Sequence, residues 1–487
     1  LDGKIRNSPI YAYAVLFVLL ILEVYQVFLF IVEPSGSKEI FMASVCFYFQ
    51  VHQPYRLRDY TIFDDGTDYF DKAKNAEICR KVAHKCYLPT NQLLLELIEK
   101  HQGKFRVAFS TTGTVLEQFQ QYTPAVLDSF QRLAATGCVE FLSETYYHSL
   151  SFLYSRDEFI EQIEAHRRLI QELFGQNPRV FRNTELVYNN SLAETIEQIG
   201  GFDAIITEGA DHILRAPPNA KDGVWGPLGY RSPNFVYRPP NCGSLKLLLK
   251  NYRLSDDIAF RFSNRHWSEW PLKADKFSSW INAINGNGFV VNLFIDYETF
   301  GEHQWQDTGI FEFMHHLPGE ILKHPDNDFK TPSEVAEAYD AVDVIDVPEL
   351  VSWADTERDL SAWLGNPMQQ NAIEELYKLE QSVKSFRSRG SELVNRGSSS
   401  DKPPPQGVPR GEQASDEILT SWRRLQTSDH FYYMCTKYFA DGDVHKYFNP
   451  YESPYDSFIN FMNVLDNLRL RCLDVSERTQ KRVVKAI

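Results

Sequence analysis

The chain has 487 residues, 43% of them hydrophobic and 24% charged, which fits a globular protein of two or more domains with a large core. Its formal net charge is −15, so the basic field that nucleic-acid phosphates demand is missing and no nucleic-acid partner is expected. Aromatic residues reach 14%, a surplus that leans towards a neutral ligand with sugar-like faces, although large cores use such rings too.

In chain order, the first feature is the apolar run IYAYAVLFVLLILEVYQVFLFIV at 10–32, long enough to span a bilayer and preceded by Lys4 and Arg6 as in a signal anchor. Against an anchor, Glu23 and Gln26 interrupt the run, the chain starts with Leu, and Met42 is its first methionine. The reading favours Met42 as the biological start, with residues 1–41 a translated upstream region and the protein cytoplasmic. A membrane-anchored protein is the alternative. The cysteines (Cys46, Cys79, Cys86, Cys138, Cys242, Cys435 and Cys472) lack C-x-x-C spacing, which fits reduced thiols in a cytosol.

From Met42 a pattern recurs in which a short apolar run ends in polar residues and a helical or loop segment follows. The runs are 44–52, 104–110, 139–144, 179–185, 202–209, 245–251 and 289–298. Between them lie amphipathic stretches such as 91–101 and 156–175, the latter with Phe159, Ile160, Ile163, Ile170 and Leu173 on one face. Strands alternating with helices predict parallel pairing, and seven of them predict a closed or nearly closed α/β barrel. An open doubly wound sheet would carry a glycine-rich turn after its first strand, and VHQPYRLRDY has none. The barrel is expected to occupy 42–345. Residues 346–487 read as a helical domain, with LVSWADTERDLSAWLGN and NAIEELYKLEQSVKSF as its first helices and a flexible Ser/Gly/Pro/Arg-rich insertion at about 386–415.

In parallel barrels the strand C-termini converge on one face, where active sites sit. The runs here end in His52, Ser110, Glu144, Glu185, Glu208, Asn251 and Asp296, an acidic mouth flanked by the aromatic segments ETYYHSL, NRHWSEWPL and GEHQW. Each of these polar residues has the plainer reading of a strand meeting its loop. Two carboxyl groups about 5–5.5 Å apart are the machinery of retaining glycoside cleavage. Spacing alone does not choose the pair.

HQP at 52–54, RNTELVY at 182–188 and DYETFGEHQ at 296–304 together resemble the ordered motifs of glycoside hydrolase family 57, most of all its α-amylase branch. The resemblance implies a (β/α)7 barrel followed by a helical C-terminal domain, and a retaining mechanism on α-glucans without a cofactor or metal. It implies that Glu185 is the nucleophile and Asp296 the general acid/base. FLSETYYHSL resembles the family's second motif more loosely, with Glu144 lining a subsite. TSDHFYYM resembles the fifth, with Asp429 and His430 at the cleft. His52, Gln53, Glu298 and His303 lie inside the motifs and become candidates for sugar contact, and Trp305 and Trp270 become candidates for stacking.

Plainer roles stand beside these. His52 could cap its strand, Glu298 and Glu302 could hold loop structure, Glu208 could cap a strand without reacting, and Tyr432 and Tyr433 suit packing as well as a platform. The adjacent His315 and His316 have poor geometry for one metal. Three rival functions follow: a 4-α-glucanotransferase or branching enzyme of the same family, a metal-dependent carbohydrate enzyme, and a non-catalytic glucan-binding protein. Nothing in the pattern sets linkage, chain length or oligomeric state.

Overall fold

The computed structural model describes residues 43–215, 231–385, 411–437 and 449–486. The apolar run at 10–32 and most of the Ser/Gly/Pro/Arg-rich stretch (386–410) lie outside the described residues. Among the described residues no helix is long and apolar enough to cross a membrane.

Each of the seven apolar runs contains a strand. In chain order they are β1 (Ser44–Val51), β2 (Val107–Thr111), β3 (Val139–Phe141), β4 (Val180–Arg182), β5 (Ala204–Glu208), β7 (Lys246–Lys250) and β8 (Val290–Asp296). Two short strands that the periodicity did not announce, β6 (Val236–Tyr237) and β9 (Asp328–Phe329), complete the set. Pairing is parallel along β8–β1–β2–β3 and along β4–β5–β7. Two seams join these arcs. At the first, Ser143 N donates to Val180 O (2.9 Å) and Arg182 N to Ser143 O (2.8 Å). At the second, Asn251 N donates to Asn292 O (2.9 Å) and the Asn292 side chain to Leu249 O (2.9 Å). β6 fills the rest of that seam, antiparallel to β7, and the Asn234 carbonyl beside it accepts from Phe289 and Val290. The ring is a seven-stranded parallel barrel.

The strands are apolar on both faces because both are covered, as parallel sheets require. On β1, Cys46 and Tyr48 join Ala108, Val180, Ile206, Leu248 and Phe294 from five other strands, and Leu142 just past β3, in one cluster, the barrel interior. The alternate residues Val45, Phe47, Phe49 and Val51 pack outward with the surrounding helices. Those helices are delimited by ordinary local signals. The helix Arg156–Phe174 begins where the Ser155 side chain accepts from Glu158 N, and it ends at Gly175 in the left-handed conformation (φ 69°).

Beyond the barrel, the helices Pro367–Lys378, Gly411–Arg424, Ser428–Tyr432 and Pro454–Ala486 follow one another. Trp363, Trp422, Phe431 and Phe461 build their core, which also takes in Tyr55 and Tyr69 from the long loop after β1. One expectation fails here: LVSWADTERDL is not helical, and only Ser361–Leu364 forms a turn of helix. The physical reason is tertiary. Tyr188 and Val351 exchange backbone hydrogen bonds (3.0 and 2.9 Å), which pins this segment against the strand-end loop after β4. Local propensity yields to that pairing.

Candidate active site

β4 ends at Arg182, and after Asn183 the chain makes one 3-10 turn, Thr184–Leu186. Within it Glu185 has φ 57°, ψ 24° and Leu186 has φ 53°, left-handed conformations that cost a residue with a Cβ about 1–2 kcal/mol each. Hydrogen bonds hold the turn in place: Leu186 N to Asn183 O (3.0 Å), Val187 N to Thr184 O (2.9 Å) and Trp353 N to Glu185 O (3.2 Å). The strain turns the Glu185 side chain into the barrel mouth, where three donors meet it. His148 Nε2 (3.1 Å) and Ser428 Oγ (3.1 Å) donate to Oε1, and Trp353 Nε1 (2.7 Å) donates to Oε2.

His148 is the hub of the site. Its Nδ1 lies 3.2 Å from Glu144 Oε2 while Nε2 faces Glu185, so both ring nitrogens meet carboxylates and both donate. Burial opposes a charged ring, but the hydrogen bonds to Glu144 and Glu185 prevail and push its pKa up to about 9. Glu144 is fully buried, a cost to its charged form. His148 and the Arg182 guanidinium outweigh that cost and bring it down to about 2. Ser110 Oγ and Gln50 Nε2 also donate to Glu144 Oε1. Glu185 follows the same logic: burial raises it, and the hydrogen bond and charge of His148 hold it below the usual carboxylate value.

Asp296, the last residue of β8, behaves oppositely. Burial, and then the negative charge of Glu185, push it up to about 6. In weakly acidic solution Glu185 is therefore ionised while Asp296 is protonated, an arrangement suited to nucleophile and proton donor. Glu298, two residues on, accepts a hydrogen bond from the Tyr87 hydroxyl, and burial together with Asp296 lifts it to about 8.

A cationic layer lies behind Glu185. The Trp353 ring is faced by the Arg182 guanidinium and the Lys250 ammonium, each 5.1 Å from its centroid. Lys250 reaches Asp256 (3.4 Å) and Glu208 (3.6 Å), and Arg358 reaches the same two acids (3.3 and 3.4 Å). Glu208 is thus an ion-pair partner under the site. On the other side, His52 Nδ1 is 2.9 Å from Thr112 Oγ1 and Nε2 is 2.9 Å from Asp429 Oδ2. Its ring stacks on His148, centroids 4.1 Å apart. Although burial opposes it, the neighbouring His52 holds Asp429 well below the usual carboxylate range.

Of the residues singled out from sequence, the structure brings His52, Glu185, Asp296 and Asp429 to one mouth, whereas Glu144 and Glu298, expected to contact sugar, are buried beneath it, where protein donors occupy them. Gln53 is buried beneath it, donating to Tyr87 Oη (3.4 Å) and accepting from Arg56 (3.1 Å). The backbone N–H of His303 donates to Glu298 O (2.9 Å), and burial brings the imidazole down to about 4, so it is neutral. Glu302 pairs with Lys81 (2.5 Å) and supports the loop. Trp305 (59% exposed) and Trp270 (42%) are open to solvent, beneath Lys85 and Arg265 respectively. His430 is buried against Phe461, centroids 5.8 Å apart, rather than facing the mouth. Sequence reading passed over His148, Arg182 and Ser428, although each stands inside a quoted motif. Trp353 and Lys250 carried no local signal.

A family model described as glycosyl hydrolase family 57 matches residues 46–348. A protein of Methanocaldococcus jannaschii named "Putative alpha-amylase" is 43% identical over 427 residues, 86% of this chain and 83% of its own length. The crystal structure of a branching enzyme from Pyrococcus horikoshii aligns with TM-score 0.60 at 14% identity, over 87% of this chain and 88% of its own. A 4-alpha-glucanotransferase from Thermococcus litoralis aligns with TM-score 0.52 at 15% identity, over 80% of this chain; the chain spans about half (56%) of that enzyme. At these identities the two structures speak to the fold, and they agree with the barrel.

Proposed function

The chain belongs to glycosyl hydrolase family 57, and from that premise we propose a retaining glycosidase that cleaves α-glucans, with Glu185 as nucleophile and Asp296 as general acid/base. The observation that carries the assignment is Glu185, set by a left-handed strand-end turn against three hydrogen-bond donors, beside Asp296 at the end of β8, with the acidity of the two shifted in opposite directions. Glu185 is kept charged by His148, while Asp296 is kept protonated up to about pH 6 by burial and by Glu185 itself. Glu185 attacks the anomeric carbon as Asp296 protonates the departing glycosidic oxygen. Asp296, now ionised, then takes a proton from the incoming water, which cleaves the glycosyl–enzyme bond.

His52 and Asp429 line the mouth as sugar-contacting groups, the fully buried Glu144 supports His148 from beneath, and Trp305 and Trp270 are the proposed stacking surfaces. The barrel, from about residue 42 to 345, carries the two acids, and the chain beyond it closes one side of the mouth through Trp353, Ser428 and Asp429. Transfer to a sugar hydroxyl uses the same intermediate, and two of the structural neighbours are named as transferring enzymes. Incubation with maltooligosaccharides separates the outcomes. An α-amylase-like hydrolase yields only products shorter than the input, and longer products would reassign the chain to glucan transfer. Glu185→Gln serves as the control, with activity expected to fall by several orders of magnitude.

A further inference from the structure

The two oxygens of Glu185 are not equivalent. Oε1 accepts hydrogen bonds from His148 Nε2 and Ser428 Oγ, both at 3.1 Å, whereas Oε2 accepts from Trp353 Nε1 alone among the described residues, at 2.7 Å. Each carboxylate oxygen offers two lone-pair sites. Oε1 is therefore filled and Oε2 keeps one site free. We infer that Oε2 is the oxygen that attacks the anomeric carbon, and that Ser428, supplied by the C-terminal helices, accelerates breakdown of the glycosyl-enzyme by holding the charge that returns to Oε1. The inference rests on Glu185 being the nucleophile.

The chemistry follows the electrons. In the first step a bond forms between Oε2 and the anomeric carbon, the bond to the leaving oxygen breaks, and that oxygen takes the proton of Asp296. Oε1 becomes an ester carbonyl oxygen and loses most of its negative charge. In the second step water, deprotonated by Asp296, attacks the anomeric carbon. The carbon–Oε2 bond breaks and its electron pair returns to the carboxylate, half of the charge appearing on Oε1. Donors to Oε1 are weakly used in the ester and strongly used in the transition state of its cleavage, which is the condition for accelerating that step.

The structure fixes Ser428 for this role. It is fully buried, and its backbone N–H donates to His148 O (2.8 Å). The preceding Thr427 hydroxyl donates to Tyr147 O (2.9 Å), and Thr427 and Ser149 form an antiparallel bridge. Both donors to Oε1 thus sit on one clamp between the strand-end loop after β3 and the short helix Ser428–Tyr432. The next residue, Asp429, ties the clamp to His52 (2.9 Å), whose ring stacks on His148.

The test uses the full-length protein and maltotriosyl fluoride, whose leaving group needs no protonation, so that glycosyl-enzyme breakdown limits turnover. Ser428→Ala is expected to lower kcat about tenfold, the size of one hydrogen bond to a charged group. KM should fall in step, leaving kcat/KM unchanged or raised, while intact mass shows the glycosyl adduct accumulating on a digest peptide that contains Glu185. Ser428→Cys, close in volume and a weak donor, should fall between wild type and alanine and guards against misfolding of the alanine variant. If kcat and kcat/KM fall together with no accumulated adduct, Ser428 is merely structural and the inference is overturned. An adduct absent from Glu185 in the wild type itself would instead overturn the nucleophile assignment.

Discussion

Raising the pH from 5 to 8 is expected to lower kcat/KM on an α-glucan about ninetyfold, through loss of the Asp296 proton. The magnitude comes from the site. Asp296 is lifted from 3.8 to about 6 by burial and by the charge of Glu185. The protonated fraction is then about nine-tenths at pH 5 and about one-hundredth at pH 8, a tenfold loss per unit on the alkaline side. An ordinary aspartate would already be mostly ionised at pH 5. The acid limb has the opposite sign: Glu185 must be ionised, and His148 holds it below the usual carboxylate value, so activity persists below pH 5. Because the two carboxyls interact, the limbs belong to the pair, and Glu185→Gln should let Asp296 fall back towards its ordinary value. The assay is kcat/KM against pH on maltooligosaccharides, with carboxyl NMR of Asp296 in the Glu185→Gln variant. A profile flat through pH 8, or one that declines from pH 4, would refute the assignment of Asp296 as proton donor.

Glu298→Gln should stabilise the protein increasingly as pH rises. In the folded state Glu298 is held at about 8 against an ordinary 4.5, so its stabilising contribution is complete below 4.5 and is lost between 4.5 and 8. The neutral isostere keeps that contribution, a gain of roughly 2–5 kcal/mol at pH 8 that nearly vanishes at pH 4.5, read from denaturant midpoints; an equal effect at both would contradict it. Arg423→Ala should cost about 1.5–3 kcal/mol by removing the bidentate partner (2.8 and 3.0 Å) of the fully buried Glu158, with Lys384 (3.0 Å) left to compensate part of its charge; a shift in Tm below 1 °C would show the pair to be dispensable. Exhaustive chelation should leave kcat unchanged, and a loss restored by one divalent cation would favour the metal-dependent reading.

Alternation of apolar runs with helical patterns made the barrel legible, since seven parallel strands covered on both faces leave continuous apolar runs that little else produces. β6 and β9 were not legible because strands of two residues have no periodicity to detect. Glu185 and Asp296 stood out because each ends a run and belongs to a motif. His148 could have been found from its place four residues after Glu144 in ETYYHSL, but only the folded chain shows that one imidazole serves two carboxylates. Trp353 lay beyond sequence reading: it reaches Glu185 across 168 residues of chain, on a segment whose composition suggests helix. Ser428 comes from farther still, 243 residues away, and its neighbour His430, the more conspicuous residue, is turned into the core.

The central claim is that cleavage proceeds through a covalent intermediate on Glu185, and stereochemistry tests it most directly. Proton NMR of the first sugar released from an α-glucan, recorded before mutarotation, should show the α-anomer, because two displacements restore the starting configuration. Initial release of the β-anomer would mean a single displacement by water and would contradict the account.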